Sequence, residues 1–184
     1  MPRELVLKQI ELLREVAPSL SRMVIFSRKS LDTAAQRAQG TALIQEFLRV
    51  TVDLLDVEEP EDLRRAFGAA RALRPHAMIV EPDPLFFERR DQVLDFARTA
   101  RLPAMYPFRD FVDAGGLMSY SLNSFDVVRR AARYVDKILK GAKPADLPVE
   151  EPTTYELVIN LKPAKAFGLV IPPAVRRHAN HTIE

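Results

Sequence analysis

The chain has 184 residues, with 27 Lys and Arg against 25 Asp and Glu, a formal net charge of +2 and no cysteine. The absence of cysteine excludes a disulfide scaffold, a thiol nucleophile, an iron–sulfur cluster and a cysteine-ligated zinc site. So small a charge excess is weak evidence for nucleic acid binding, which usually needs a concentrated basic face. We therefore expect no nucleic acid partner.

Helical and extended patterns alternate along the first two-thirds of the chain. A helix that Pro18 closes comes first, followed by an apolar run over residues 23–26 that is typical of a strand buried on both faces. The pattern then predicts a helix over 32–47, a strand over 50–55, a helix from Pro60, a strand over 77–80, one helix over 83–100, a strand over 102–106, a short helix over 108–114 and a strand over 117–120. This alternation predicts an α/β fold with a parallel sheet covered by helices on both faces.

The pattern changes after Tyr120. A helix of about 17 residues over 124–140 leads into an extended linker over 141–148. Apolar and polar residues then alternate from Tyr155 to Leu161, which predicts one more strand. A short helix near 163–167 and a turn at Pro172-Pro173 complete the chain.

Side chains that could bind a ligand cluster after the predicted strands. In open parallel α/β sheets, ligands bind beyond the carboxyl ends of the strands. That rule selects Ser27, Arg28, Lys29 and Ser30 after the first strand, Glu81 and Asp83 after the third, Tyr106, Phe108 and Arg109 after the fourth, and Tyr120, Ser121 and Asn123 after the fifth. As a set, these side chains suit a small organic ligand with polar ends. Taken singly, each residue has a simpler structural interpretation: Asp83 as a helix N-cap, Phe108 as a core residue and Arg109 as a surface charge.

Metal and nucleotide motifs are not evident. His178 and His181 are three residues apart, but a zinc site needs three or four ligands, so surface histidines are the simpler interpretation. His76 stands alone and is interpreted as structural. The sequence contains no Walker A motif, no Gly-x-Gly-x-x-Gly and no Gly-x-Ser-x-Gly elbow. We expect neither a metal nor a cofactor.

Three long stretches are too particular for a generic α/β fold. They read LPAMYPFRDFVDAGGLMSY over 102–120, YVDKILKGAKPADLPVE over 134–150, and ELVINLK, AKA and IPP in turn over 156–173. In this order they closely resemble the ABC-transporter substrate-binding proteins whose better-known members take up aromatic amino acids. The resemblance implies a lobe of the periplasmic-binding-protein type I fold, a flavodoxin-like α/β architecture, and no enzymatic activity.

The resemblance also implies a division of the chain and a binding site. Residues 1–121 would form the second, C-terminal ligand-binding lobe, and residues 122–184 a crossover helix, linker and return strand that complete the first lobe. By this resemblance the solute-binding residues are Ser27, Asp83, Tyr106, Phe108, Arg109 and Tyr120. The partners would be a small-molecule solute, such as an amino acid, and the membrane permease of an ABC importer.

Two departures from the family pattern affect these expectations. Pro107 and Ser121 stand where the family usually has Gly, which changes the shape of the cleft. Most of the first lobe has no counterpart in the sequence, so we expect a truncated chain that binds solute weakly or not at all. Family members are periplasmic or lipid-anchored, whereas this sequence has no signal peptide and would be cytoplasmic if Met1 is the genuine start.

An alternative function is a remodelled α/β module without a transport role. Because the strand from Tyr155 to Leu161 has no first-lobe sheet to join, we expect it to be unpaired. Unpaired strands recruit other chains. In this alternative the chain binds a protein partner or forms a homodimer through that strand.

Overall fold

The computed structural model of the protein describes residues 3–28, 34–151 and 154–184. Its strands are β1 (Arg22–Arg28), β2 (Thr51–Val57), β3 (Ala77–Val80), β4 (Ala104–Tyr106), β5 (Met118–Leu122), β6 (Tyr155–Asn160) and β7 (His181–Ile183). Its helices are α1 (Arg3–Val16), α2 (Ala34–Leu48), α3 (Asp62–Leu73), α4 (Pro84–Glu88), α5 (Arg90–Ala100), α6 (Arg109–Asp113), α7 (Ser124–Leu139), α8 (Leu161–Phe167) and α9 (Pro173–His178).

The described strands form one seven-stranded sheet in the order β2-β1-β3-β4-β5-β6-β7. Strands β1 to β5 are mutually parallel, β6 runs antiparallel to β5, and β7 runs parallel to β6. The chain winds outward in both directions from the β1–β3 pair, which is the doubly wound arrangement of flavodoxin-like folds. The predicted α/β class is therefore confirmed.

Both faces of the sheet are buried. In β1, Met23 and Ile25 join a cluster with α1, α2, α8 and α9, whereas Val24 and Phe26 join a second cluster with α3 to α6. Successive side chains of a strand point to opposite faces, so a strand covered on both sides must be apolar throughout. This requirement explains the uninterrupted apolar runs in the sequence.

Two predicted elements differ from the observed ones, and one observed strand was not predicted. The single helix expected over 83–100 is two helices, because Arg89 adopts φ −100° and ψ 22°, outside the helical region. The turn expected at Pro172-Pro173 instead starts α9, where Pro173 occupies the first helical turn. The three-residue strand β7 was not predicted, because so short a segment has no readable alternation.

The expectation of an unpaired strand from Tyr155 to Leu161 is wrong. The strand ends at Asn160 and pairs with β5 along five residue pairs and with β7 on its other side. Leu157 and Ile159 are buried in the cluster beneath α1. Alternation in the sequence identified the strand but carries no information about which sheet it enters. The return strand therefore continues the sheet of β1 to β5, and the edge proposed for a homodimer is occupied.

Helix α7 contrasts with the other long helices, because it contains no buried residue. Phe125 and Leu139 are each 82% exposed, and Val128 and Val135 are also exposed on the same apolar stripe. On another side, α7 contacts its own following linker, where the Tyr134 hydroxyl donates to the carbonyl of Pro148 at 2.6 Å. One face of α7 is thus left without a protein surface to cover it within the described residues.

In the described ranges, no helix has both the length and the apolar character needed to cross a membrane.

Gly116 offers a test of the core beside β4. A Cβ atom added there would lie 2.6 Å from the Tyr106 ring and 2.8 Å from the Phe111 carbonyl oxygen. We expect Gly116→Ala to lower the free energy of unfolding by about 1–3 kcal/mol, because a buried ring and backbone must move. The matched control is Gly68→Ala in α3, where the added Cβ meets open space, and a gain of about 0.5–1 kcal/mol is expected. Urea unfolding measures both, and equal effects would contradict the packing argument.

Candidate ligand-binding site

The carboxyl ends of the five parallel strands lie at one edge of the sheet, called here the carboxyl edge. Parallel pairing fixes this, because Phe26 aligns with Val80 and Tyr106 aligns with Ser119 across neighbouring strands. The carboxyl ends of β1 and β3 flank the point where the strand order reverses, which is where open α/β sheets bind ligands.

Ser27 is held in a polar network at the end of β1. Its hydroxyl donates to Asp56 Oδ1 at 3.1 Å, and Arg37 Nη2 from α2 donates to the Ser27 hydroxyl at 3.3 Å. Arg37 also binds Asp56 through both terminal nitrogens in a bidentate pair. Such a pair fixes orientation as well as charge. Ser27 is only 4% exposed, so its hydroxyl is positioned rather than freely rotating.

Asp83 has the N-cap position that the sequence allowed as its simpler interpretation. Its Oδ1 accepts the backbone N–H of Leu85 at 2.8 Å and starts α4. The same oxygen lies 3.8 Å from Arg28 Nη1. The cap uses one carboxylate oxygen, and an ionised carboxylate has lone pairs to spare on the other. Capping and ligand contact are therefore compatible at Asp83.

Phe108 lies between two concave surfaces at the carboxyl edge. On one side is a cavity of about 380 Å³ walled by the N-terminal half of α1, the β3 and β4 loops and the start of α7, and called here the α1–α7 cavity. On the other side, Phe108, Asp83 and Phe87 line a second hollow. The rings of Phe87 and Phe108 meet edge to face, with their centroids 6.3 Å apart. Apolar walls beside a few polar groups are typical of small-molecule sites.

Tyr106 lies in the core and not at the surface of the edge. Its side chain is 1% exposed and stacks on Phe111 at 5.2 Å between ring centroids. Burial raises the pKa of the Tyr106 hydroxyl well above its usual value. The period of two along β4 explains this placement, because Met105 and Tyr106 point to opposite faces and both faces are covered. The Tyr106 ring therefore faces the core, and a contact between Tyr106 and a solute stays a prediction.

Arg109 and Tyr120 are both partly accessible at the edge. Arg109 Nε lies 3.2 Å from Asp113 one turn along α6, in an exposed pair. Tyr120 stacks on Tyr155 at 5.5 Å across the β5–β6 pair. Its carbonyl oxygen accepts a hydrogen bond from Gln9 of α1 at 2.9 Å. This hydrogen bond links α1 to the backbone of β5 at Tyr120.

The loop after β5 is fastened to β6. Asn123 Nδ2 donates to Glu156 Oε2 at 2.6 Å, and Asn123 Oδ1 caps α7 by accepting the N–H of Asp126 at 2.9 Å. Ser121 is half-buried and lines the α1–α7 cavity. Ser121 and Asn123 therefore lie at the edge as predicted, one facing a cavity and the other fixing the loop.

The remaining residues selected from the sequence, including the three histidines, do not form a group with the residues described above. Lys29 and Ser30 lie outside the described residues. His178 ends α9, whereas His181 starts β7 with Nε2 3.8 Å from a Glu156 oxygen. His76 Nδ1 accepts the backbone N–H of Ser21 at 3.2 Å. Among the residues that can be described, no group of three or more candidate ligands surrounds a possible metal position.

Three polar residues at the edge were not predicted from the sequence. Arg37 lies in helix α2 and Asp56 lies in strand β2. The rule applied to the sequence selects residues in the loops that follow strands, so it selected neither of them. Asp56 directly follows Leu55, the last residue of the strand predicted over 50–55, and this position was the available signal. Gln9 lies within the first turns of a helix and is 1% exposed. Its spacing from Leu5 and Leu13, four residues on either side, places it on the apolar face of the helix, and this spacing was the available signal.

A model of the family described as ABC transporter substrate binding protein matches residues 3–183. The chain belongs to this family. No curated protein matches the sequence significantly. The family consists of solute-binding proteins and not of enzymes, in agreement with the resemblance of the three stretches at 102–120, 134–150 and 156–173.

Solved structures share the fold of this chain at low sequence identity. An ABC domain from Streptococcus pneumoniae in complex with L-Trp superposes with a TM-score of 0.83 at 24% identity, covering 96% of this chain and 60% of that one. A conserved domain protein from Vibrio cholerae gives 0.82 at 22%, covering 96% and 60%. The ligand-free, open structure of a substrate binding protein with adhesive properties from Clostridium difficile gives 0.67 at 17%, covering 96% and 59%. The chain thus spans about 60% of the length of these structures.

Asp126, at the start of α7, gives a pH-dependent prediction. Hydrogen bonds from Arg129 and Arg130 hold the pKa of its carboxyl below the usual value. A carboxyl whose pKa is lower in the folded state adds stability above its unfolded pKa and loses it as pH falls through the folded pKa. We expect wild type to be more stable than Asp126→Asn at pH 7, and this difference to shrink below about pH 4. Urea unfolding at pH 7 and pH 3 measures it.

The control for Asp126 is Asp91→Asn, which changes an exposed carboxylate on α5. Its stability difference from wild type should not shrink in the same way. If the difference in the free energy of unfolding between wild type and Asp126→Asn is the same at pH 7 and at pH 3, the proposed role of Arg129 and Arg130 is contradicted.

Proposed function

We propose that the protein is the solute-recognition component of an ABC importer and contacts a small organic solute at its carboxyl edge. The observation that carries the proposal is the convergence of Ser27, Asp83, Phe108 and Arg109 on that edge, beside apolar hollows. These side chains come from three separate strand–loop junctions. Parallel pairing brings the three junctions to one edge, and the proposal is supported by the chemistry found there: a hydroxyl, a carboxylate, an aromatic ring and a guanidinium.

The proposed solute is amino-acid-like. Asp83 offers carboxylate oxygen for an ammonium group, and Arg109 offers a guanidinium for a carboxylate. The Arg109–Asp113 pair is exposed and contributes at most about 1 kcal/mol, so a solute carboxylate exchanges with Asp113 at little cost. The complex of the Streptococcus pneumoniae relative with L-Trp supports an amino acid with a large apolar side chain.

The proposed mechanism is closure of two lobes around the solute, followed by docking on the membrane permease. In it, residues 1–121 together with β6 and β7 form the solute-binding lobe, and the apolar stripe of α7 packs on the other lobe. Fully burying a Phe or Leu side chain contributes about 1.5–3 kcal/mol, and Phe125 and Leu139 are both available for this. Function as an importer component places the protein outside the cytoplasmic membrane, in the periplasm or lipid-anchored.

Isothermal titration with L-Trp and the other proteinogenic amino acids tests the proposal. Asp83→Asn keeps a side-chain oxygen for the α4 cap but loses the charge, so we expect at least a tenfold loss of affinity. Asp95→Asn, an exposed position on α5, is the matched control and should leave affinity unchanged. Lack of binding across the panel, or equal effects of the two variants, would contradict solute recognition at this edge.

A second candidate function, association with a protein partner or a second copy, is favoured by the same stripe of α7. In this function the chain associates through α7 and not through β6. We expect light scattering coupled to size exclusion to show concentration-dependent association, which Val128→Gln with Leu139→Gln abolishes. The paired control Val149→Gln, at a 97% exposed linker residue, should leave association intact. A monodisperse wild-type monomer at high concentration would contradict this candidate.

A further inference from the structure

Three crossover helices of the sheet end in an unusual residue. Among the described residues, those other than glycine that have a positive φ are all arginines: Arg49 (φ 52°), Arg74 (φ 50°) and Arg101 (φ 51°). They immediately follow the last residues of α2, α3 and α5. Glycine is the usual residue in this left-handed position, because any Cβ atom there is strained against the backbone. Three helix ends therefore carry backbone strain together with an arginine, where glycine would carry neither.

The three arginines lie at one end of the sheet. They precede β2, β3 and β4, whose first residues meet at the edge opposite the carboxyl edge, called here the amino edge. Since β2 and β4 are three strand positions apart, the set spans about 14 Å at about 4.8 Å per strand. α2 packs on one face of the sheet, whereas α3 and α5 pack on the other. This spread suits an extended anionic surface better than a single small anion.

Positive charge is concentrated at the amino edge. The last turns of α1, α3 and α5 add three more arginines: Arg14, Arg71 and Arg98. Against these, the last turns of α1 and α2 present the exposed carboxylates of Glu15 and Glu46, and Asp95 pairs with Arg98 at 2.8 Å. The arginines at these helix ends thus outnumber the carboxylates.

Arg49 and Arg74 have no role in holding the fold together. Both are exposed, and within the described residues neither side chain makes a hydrogen bond or an ion pair. A cation near a helix C-terminus is favourable, but an ordinary position in the last turn supplies it without strain, as Arg71 does in α3. A second cation in the strained position of Arg74 is therefore better explained by a contact outside the chain.

An exposed aromatic ring lies beside one of these arginines. Phe47, in the last turn of α2, is 71% exposed and precedes Arg49 by two residues. The same helix end is held by Arg14, whose Nη1 donates to the carbonyl oxygen of Leu48 at 3.0 Å. Arginines interspersed with an exposed apolar ring are typical of surfaces that lie on a bilayer. Duplex nucleic acid would meet the arginines but offers no apolar layer for Phe47.

We propose that the amino edge is a docking surface for an anionic phospholipid bilayer, with Arg49 and Arg74 attracted to the lipid phosphates and Phe47 inserted among the headgroups. The carboxyl edge lies at the other end of the strands, so a chain docked in this way keeps that edge in water. This inference goes beyond the proposed function and does not depend on it, because lipid contact and solute contact use different residues.

Vesicle sedimentation tests the proposal with the whole chain. We expect the wild type to bind vesicles of phosphatidylglycerol and phosphatidylcholine in equal parts, and not vesicles of phosphatidylcholine alone. Binding should weaken as the salt concentration rises, because salt screens the attraction between the arginines and the lipid phosphates. Equal binding to the two kinds of vesicle, or no binding to either, overturns the inference.

Arg49→Gly combined with Arg74→Gly removes two charges and also relieves the backbone strain. We expect binding to the anionic vesicles to fall about thirtyfold, because each arginine near such a surface contributes about a factor of five. The melting temperature should stay the same or rise, so the loss of binding does not come from unfolding. The matched control, Arg64→Gln with Arg65→Gln, removes the same charge from exposed positions at the start of α3, beside the carboxyl edge. Equal losses of binding in the two double variants would show a response to net charge alone and overturn the inference.

Phe47→Ser tests the apolar part of the contact at an exposed position. We expect weaker binding to the anionic vesicles, with a loss that persists at high salt, because salt does not screen apolar burial. Val149→Ser, at a 97% exposed linker residue, is the matched control and should bind as the wild type does. Unchanged binding by Phe47→Ser overturns the inference. Binding of DNA that requires Arg49 and Arg74 but not Phe47, without binding of vesicles, overturns it as well and assigns the amino edge to nucleic acid.

Discussion

Coverage of the parallel sheet on both faces is the constraint on which the rest of the structure depends. A strand such as β3, with all four residues buried, has no side chain free to meet a ligand. Parallel neighbours must be joined by crossovers that pass over a face, so the loops after the strands return repeatedly to one edge. Polar side chains that could contact a ligand are thereby brought to the carboxyl edge, where Ser27 lies near the end of β1 and Asp83 follows β3.

The sequence predicted what depends on local periodicity and missed what depends on tertiary partners. The apolar runs placed β1 to β5 within a few residues, and the N-cap preference of Asp83 was readable before a proline. The pairing of β6 with β5 was not readable, because alternation is the same in a paired and an unpaired strand. The burial of the Tyr106 ring was not readable for a related reason: the last residue of an apolar run can point to either face of the sheet. Gln9 required knowledge of the carbonyl of Tyr120, which is 111 residues away.

Most polar groups at the carboxyl edge already have partners. Ser27 is bound by Asp56 and Arg37, and Asn123 by Glu156. Such pairs hold side chains in position before a ligand arrives, which reduces the entropy lost on binding. The exposed Arg109–Asp113 pair differs, because water screens it and exchange with a ligand is inexpensive. The edge thus combines fixed groups that define shape with an exchangeable cation that can meet a carboxylate.

The antiparallel pairing of β6 brings the chain back to the place from which α7 departs. β5 ends at the carboxyl edge and β6 begins there. The segment between them, which contains α7, therefore leaves the sheet and returns to it at the same edge. Two hydrogen bonds fasten the attachment: the N–H of Asn123 donates to the carbonyl of Thr154, and the Asn123 side chain donates to Glu156. The start of α7 also walls the cavity that contains Gln9. Any surface that packs on the apolar stripe of α7 is consequently held beside the carboxyl edge, which provides a direct physical route for coupling between that contact and the solute binding proposed there.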